Sequence, residues 1–90
     1  MELEIGHVTH YYKNIGVAVL RLRDSLKLGD MIHILSHVTD FTQRVSSMEV
    51  DHHTVVRVKP GEEVAIKVLE PVRVSDLVFR VIKEAPEPAR

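Results

Sequence analysis

Val17 and Val19, Ile32 and Ile34, and Val64, Ile66 and Val68 recur two residues apart, and Val8, Val78 and Ile82 extend the same habit. A spacing of two places side chains on one face of a strand, and β-branched residues favour that conformation. Between these runs lie Lys13-Asn14-Ile15-Gly16, Leu28-Gly29-Asp30 and Lys59-Pro60-Gly61-Glu62, which are turn-forming combinations. The pattern predicts strands near 2–12, 15–23, 30–36, 40–50, 54–58, 63–69 and 77–83. Leu69-Glu70-Pro71-Val72 reads as an irregular crossing, because Pro71 cannot donate to a central ladder. The window from Arg21 to Lys27 is short and lacks an apolar stripe, so it reads as a loop.

Many short strands leave many edges, and closure removes them. The expected fold is therefore all-β: a small closed antiparallel barrel of six to seven strands over residues 1–83. The Pro-rich segment 84–90 reads as a flexible tail. A barrel of that size is filled by its own side chains, which argues against a container for a small-molecule substrate.

Ninety residues suit one domain, which buries roughly 60–65% of the surface its unfolded chain exposes. The apolar fraction of 44%, the charged fraction of 28% and the net charge of −1 are those of a globular protein. A dedicated nucleic-acid binder carries a basic excess, so contact with RNA would have to come from a local patch. The absence of cysteine removes disulfides, thiolate catalysis and cysteine-ligated zinc, and fits a reducing cytoplasm. Met1-Glu2-Leu3-Glu4 does not open a signal peptide, and no apolar run reaches membrane-spanning length, so a cytoplasmic location without membrane contact is expected. With Met1 at its start, the chain reads as free-standing. A single asparagine, Asn14, and a single glutamine, Gln43, lean towards a thermophilic source.

Three stretches resemble, in order and spacing, the second domain of elongation factor Tu and its relatives. Ile5-Gly6-His7-Val8-Thr9-His10 with Ile15-Gly16-Val17-Ala18-Val19-Leu20 is similar to the first two strands of that domain. Leu26-Lys27-Leu28-Gly29-Asp30-Met31-Ile32-His33-Ile34 is similar to the turn and strand that follow. Val45-Ser46-Ser47-Met48-Glu49-Val50, Val58-Lys59-Pro60-Gly61-Glu62-Glu63-Val64-Ala65-Ile66 and Asp76-Leu77-Val78-Phe79 complete the resemblance over about residues 5–82. It implies a barrel of the translation-factor type. The phosphate-cradling loop of a GTPase is missing, so no GTP binding is expected. Two departures stand out: Ser75-Asp76 replaces a Gly-Asp pair, and Asp24 replaces a glycine in the loop that approaches ribosomal RNA in that family. A similar barrel also occurs at the C-terminus of collagenase-like peptidases and related RNA-modification proteins, as an accessory module.

Six histidines form the pairs His7 with His10, His33 with His37, and His52 beside His53. Zinc needs three or four converging ligands. His7 and His10, three apart on a strand, should face opposite sides unless a bulge intervenes, so surface histidines and no metal site are expected. Ser46-Ser47 and Asp51-His52 lack a nucleophile elbow, so no catalytic residue and no cofactor are expected. Arg21, Arg23 and Lys27 form one basic cluster, and Arg57 and Lys59 a second. They are the candidate contacts to RNA or to a partner, against the plainer reading of solvated strand edges. Tyr11, Tyr12 and Phe41 offer rings for stacking on bases or for packing at the rim. The expected function is a non-enzymatic binding module that recognises RNA, ribosomal components or a protein partner. The alternatives are an accessory subunit of a separate enzyme and a self-associating structural protein.

Overall fold

The computed structural model describes residues 1–82; the expected tail, 84–90, lies outside the described residues. Ten strands follow one another: β1 (Glu2–Tyr12), β2 (Val17–Leu22), β3 (Leu26–Lys27), β4 (Met31–Leu35), β5 (Asp40–Arg44), β6 (Met48–Val50), β7 (His53–Thr54), β8 (Arg57–Val58), β9 (Glu63–Lys67) and β10 (Leu77–Val81). Every pairing is antiparallel. Eight strands form one sheet in the order β5-β4-β10-β1-β2-β9-β6-β7, and β3 and β8 form a separate ribbon. There is no helix among the described residues.

The spacing of two does what strand geometry requires. Ala18, Leu20 and Leu22 on β2, Ile32 and Ile34 on β4, and Val64 and Ile66 on β9 are buried, while their neighbours point outward. Together with Ile5, Val8, Met48, Val58 and Val78 they belong to a single core, to which nearly every strand contributes. The sheet therefore wraps around its own buried face.

Two expected strands are broken by changes of partner. The stretch 40–50 divides at Val45-Ser46-Ser47, because β5 pairs with β4 whereas β6 pairs with β9. The stretch 54–58 divides because Thr54 pairs with Glu49 and Arg57 with Lys27. That second change also makes a short strand of Leu26–Lys27, within the window read as a loop. Such two-residue strands carry no period of their own, so only their partners reveal them.

The expected closed ladder is not what the backbone pairing forms: β5 and β7 are edges. A side chain bridges the gap where β5 meets the end of β9. The Gln43 Nε2 donates to the Lys67 carbonyl at 2.9 Å, and the Leu69 N–H donates to its Oε1 at 2.7 Å. Gln43 is only 4% exposed, so its amide depends on these bonds for its own pairing.

β1 is long and bent, with irregular register between Glu4 and Gly6 against β10 and between Val8 and His10 against β2. Gly6 sits at the tightest point. A Cβ there would lie 2.1 Å from the Arg21 carbonyl oxygen, a contact that only a shift of backbone could relieve.

Two stability measurements check this description. Gln43→Ala removes both bonds from the part-buried Lys67 carbonyl and Leu69 N–H and is expected to cost about 1 kcal/mol or more, lowering Tm by roughly 4–8 °C for each kcal/mol; an unchanged Tm would sink the bridging role. Gly6→Ala should force β1 from β2 at about 1–3 kcal/mol, read as a lower urea midpoint.

Candidate interaction surface

The five basic residues singled out from the sequence separate into two groups. Arg21 and Arg23 stand on the exposed side of β2 and just beyond it, each facing a carboxylate across strands: Arg21 with Glu63 at 4.0 Å, and Arg23 with Glu4 at 3.3 Å. They lie on the solvated face of an interior strand and not at a sheet edge, and exposed pairs of this kind contribute little to stability.

Lys27, Arg57 and Lys59 come together. Lys27 and Arg57 are direct cross-strand partners in the β3–β8 ribbon, and Lys59 follows one residue after β8. With Arg80 of β10 they line a furrow whose floor includes Leu26, Val58 and Pro60. An adjoining furrow shares Lys27, Asp30 and Arg80 and adds Arg44, with Met31, Val81 and Ile82 as its apolar part. Lys27 is neutralised locally, its Nζ lying 2.9 Å from the Asp30 Oδ1 while its backbone N–H donates to Oδ2 at 3.0 Å. The Arg44 Nη1 donates to the Gly29 carbonyl at 2.8 Å, and the Arg80 Nη1 donates to the Ser25 carbonyl. Arg44 and Arg80 escaped the sequence reading because they arrive from distant strands and stand in no basic run.

A third furrow, apolar in character, lies on the outer side of β2 and β9, lined by Tyr12, Ile15, Val17 and Ala65 with Glu49 and His52 at its border. The rings of Tyr12 and His10 are 4.4 Å apart. Phe41 is buried in the core and Tyr11 packs against it, so of the three rings considered for stacking only Tyr12 is exposed.

The histidines differ from expectation in one respect. The bulge between Val8 and His10 brings His7 and His10 out on the exposed side together, where plain alternation would have opposed them. No three His, Asp or Glu side chains among the described residues are grouped to hold a metal ion. Asp51 and His52, at φ of 53° and 65°, form the two-residue turn between β6 and β7, and the His53 Nδ1 lies 2.8 Å from the Asp51 carbonyl.

His33 was paired with His37 on sequence spacing, but the fold gives it other partners. Its Nδ1 lies 2.9 and 3.0 Å from the two Glu2 oxygens, and its Nε2 lies 2.6 Å from the Asp40 Oδ1. A neutral imidazole would turn a lone pair towards one of these carboxylates, so the geometry favours the doubly protonated ring. The hydrogen bond to Asp40 raises its pKa above the ordinary 6.5, the bond to Glu2 adds to this, and desolvation opposes both. The ring thus ties the start of β1 to β4 and β5 on the outer face of the sheet.

No protein-family model matches the chain. An uncharacterized protease of Methanocaldococcus jannaschii is 38% identical to it over 84 residues, which is 92% of this chain and 20% of the relative. The chain thus spans about a fifth of the length of the curated relative it matches. Among solved structures, the C-terminal domain of a Geobacillus thermoleovorans protein described as a U32 peptidase superposes with a TM-score of 0.83 at 19% identity, over 89% of this chain and 93% of that one. The selenomethionine variant of that domain gives 0.79 at 20% identity, over 83% and 95%. At such identities these two likenesses concern the fold.

The matches overturn the relation to the second domain of elongation factor Tu, and with it the translation-factor and ribosome reading. RNA as a partner finds no support in them. The physical reason is that the shared motifs encode turns. Gly29 and Gly61 sit at φ of 91° and 90°, a requirement that many small antiparallel sheets share whatever their ancestry.

The His33 arrangement has a pH signature. Because the folded pKa is raised, its stabilisation is complete below the unfolded value of about 6.5 and is lost as pH rises through the folded value. Wild type is expected to have a higher urea midpoint near about pH 6 than near about pH 9, and His33→Phe should flatten that difference. An equal slope in both proteins would remove the role given to this ring.

Proposed function

We propose that this domain is a non-catalytic accessory module of a peptidase-type protein, acting through a surface presented to the catalytic portion or to what that portion handles. The catalytic portion is either a separate chain or the remainder of its own. The observation that carries the reading is the alignment with the Methanocaldococcus protease, which takes in 92% of this chain yet only 20% of the relative. The likeness to a peptidase's C-terminal domain supports the same view at the level of fold.

The packing is consistent with a role in binding. The interior is occupied by the domain's own side chains. We read the sheet as a small barrel whose ladder is completed by the continuous run of chain through β5 and β6 and by the Gln43 bridge. The domain would end near residue 83. Of the basic residues, Lys27, Arg57 and Lys59 are the proposed contacts, whereas Arg21 and Arg23 are engaged with Glu63 and Glu4. No helix is long and apolar enough to cross a membrane among the described residues. A cytoplasmic location belongs to the same reading, on the absence of cysteine.

Affinity capture of the tagged domain from its own cells, followed by mass spectrometry, is expected to recover peptidase-related polypeptide, either continuous with the domain or roughly equimolar with it. Recovery of no such polypeptide overturns the proposal. So does hydrolysis of a casein substrate by the isolated domain alone.

A further inference from the structure

The chain as a whole is nearly neutral, with 12 Lys and Arg against 13 Asp and Glu. That balance conceals a segregation of charge. Lys27, Arg44, Arg57, Lys59 and Arg80 line the two adjoining furrows around the β3–β8 ribbon, and Asp30 is the one acidic residue among the described lining residues. Asp30 is spent on Lys27. The ion pairs among the described residues otherwise involve Arg21, Arg23 and His33, all elsewhere. Four cations therefore face the furrows without a carboxylate partner among the described residues.

We infer that these joined furrows are the docking site for an acidic peptide segment of the protein partner, one that intersperses carboxylates with apolar side chains. Three features select that chemistry. The charge left over is positive and concentrated, so the occupant is an anion. Between the charges the surface is apolar, through Pro60 in one furrow and Met31, Val81 and Ile82 in the other, so the occupant brings apolar groups between its charges. No aromatic ring lines either furrow among the described residues, which leaves the bases of a single-stranded nucleic acid nothing to stack on.

Two of the cations are also held in place before any partner arrives. The Gly29 carbonyl orients the Arg44 guanidinium, and the Ser25 carbonyl orients that of Arg80. Each guanidinium keeps further N–H groups for a carboxylate, and prior ordering lowers the entropy lost on binding. Lys27 becomes available in full when an incoming carboxylate competes with Asp30.

The inference rests on the reading that the domain works through a protein partner, and its test separates the two. A fluorescein-labelled decapeptide of alternating glutamate and leucine is titrated with the whole chain at low salt, and anisotropy is recorded. Saturable binding that weakens as salt is added is expected. Arg57→Glu with Lys59→Glu should weaken it about tenfold or more, the neutral pair Arg57→Gln with Lys59→Gln should weaken it less, and Arg21→Glu with Arg23→Glu should leave it within about twofold. Circular dichroism confirms that each variant is folded, and the neutral pair decides the matter if the reversed pair is not. Absence of saturation, equal binding by all variants, or tighter binding of a single-stranded oligonucleotide of matched charge each overturns the inference. Capture from cells is then repeated with the folded furrow variant. Peptidase-related polypeptide retained as well by that variant as by wild type removes the furrow and leaves the accessory reading standing.

Discussion

The buried face of this sheet has only itself and the short β3–β8 ribbon to pack against, with Leu26 and Val58 of the ribbon lying in the same core. No helix covers it among the described residues, and the second β-element is a ribbon of two short strands. A sheet in that position has to wrap until its own apolar side chains meet, and most of the particular features follow from that demand. β1 bends at two irregularities because a long straight strand cannot follow the curve. Gly6 lies where wrapping presses β1 against the Arg21 carbonyl. Gln43 stands where the backbone ladder runs out, and its amide supplies the donor and acceptor that a further strand would have offered.

Filling the interior with side chains leaves the exterior to carry any function. There the domain is asymmetric. Around the start of β1, the carboxylates of Glu2 and Asp40 are balanced by His33, and that of Glu4 by Arg23. Around the β3–β8 ribbon the cations outnumber their carboxylate partners. A net charge of −1 says nothing of this, since it sums over a surface that a partner meets one patch at a time.

The turn motifs explain why the all-β expectation held while the sequence-based family resemblance failed. Gly29 and Gly61 hold φ near 90°, and Ser75 holds φ of 80° where a glycine would be easier. These positions mark where strands end, and strand ends in order do suggest a small wrapped sheet. They carry no record of what the sheet is attached to. The relative that aligns over 92% of the chain is a protease, and the turns alone could not have separated it from a translation factor.

By itself the sequence determined the strand period of two, the turns at Gly29 and Gly61, and an all-β antiparallel architecture, though not which face of β2 is buried, since Ala18, Leu20 and Leu22 turn inward and Val17 and Val19 do not. Those are local properties, written at spacings of two to four residues. The tertiary structure alone decided the partners. It broke the run 40–50 between two neighbours and made a strand of Leu26–Lys27. It turned His7 and His10 out together through a bulge, and set Glu2 and Asp40 on either side of His33. It also left Arg21 and Arg23 in ion pairs while gathering Arg44 and Arg80 beside Lys27, Arg57 and Lys59. These juxtapositions join residues up to 55 apart in the chain, as between Ser25 and Arg80. No local periodicity encodes a distance of that kind; it is set by which strand lies beside which once the sheet has wrapped.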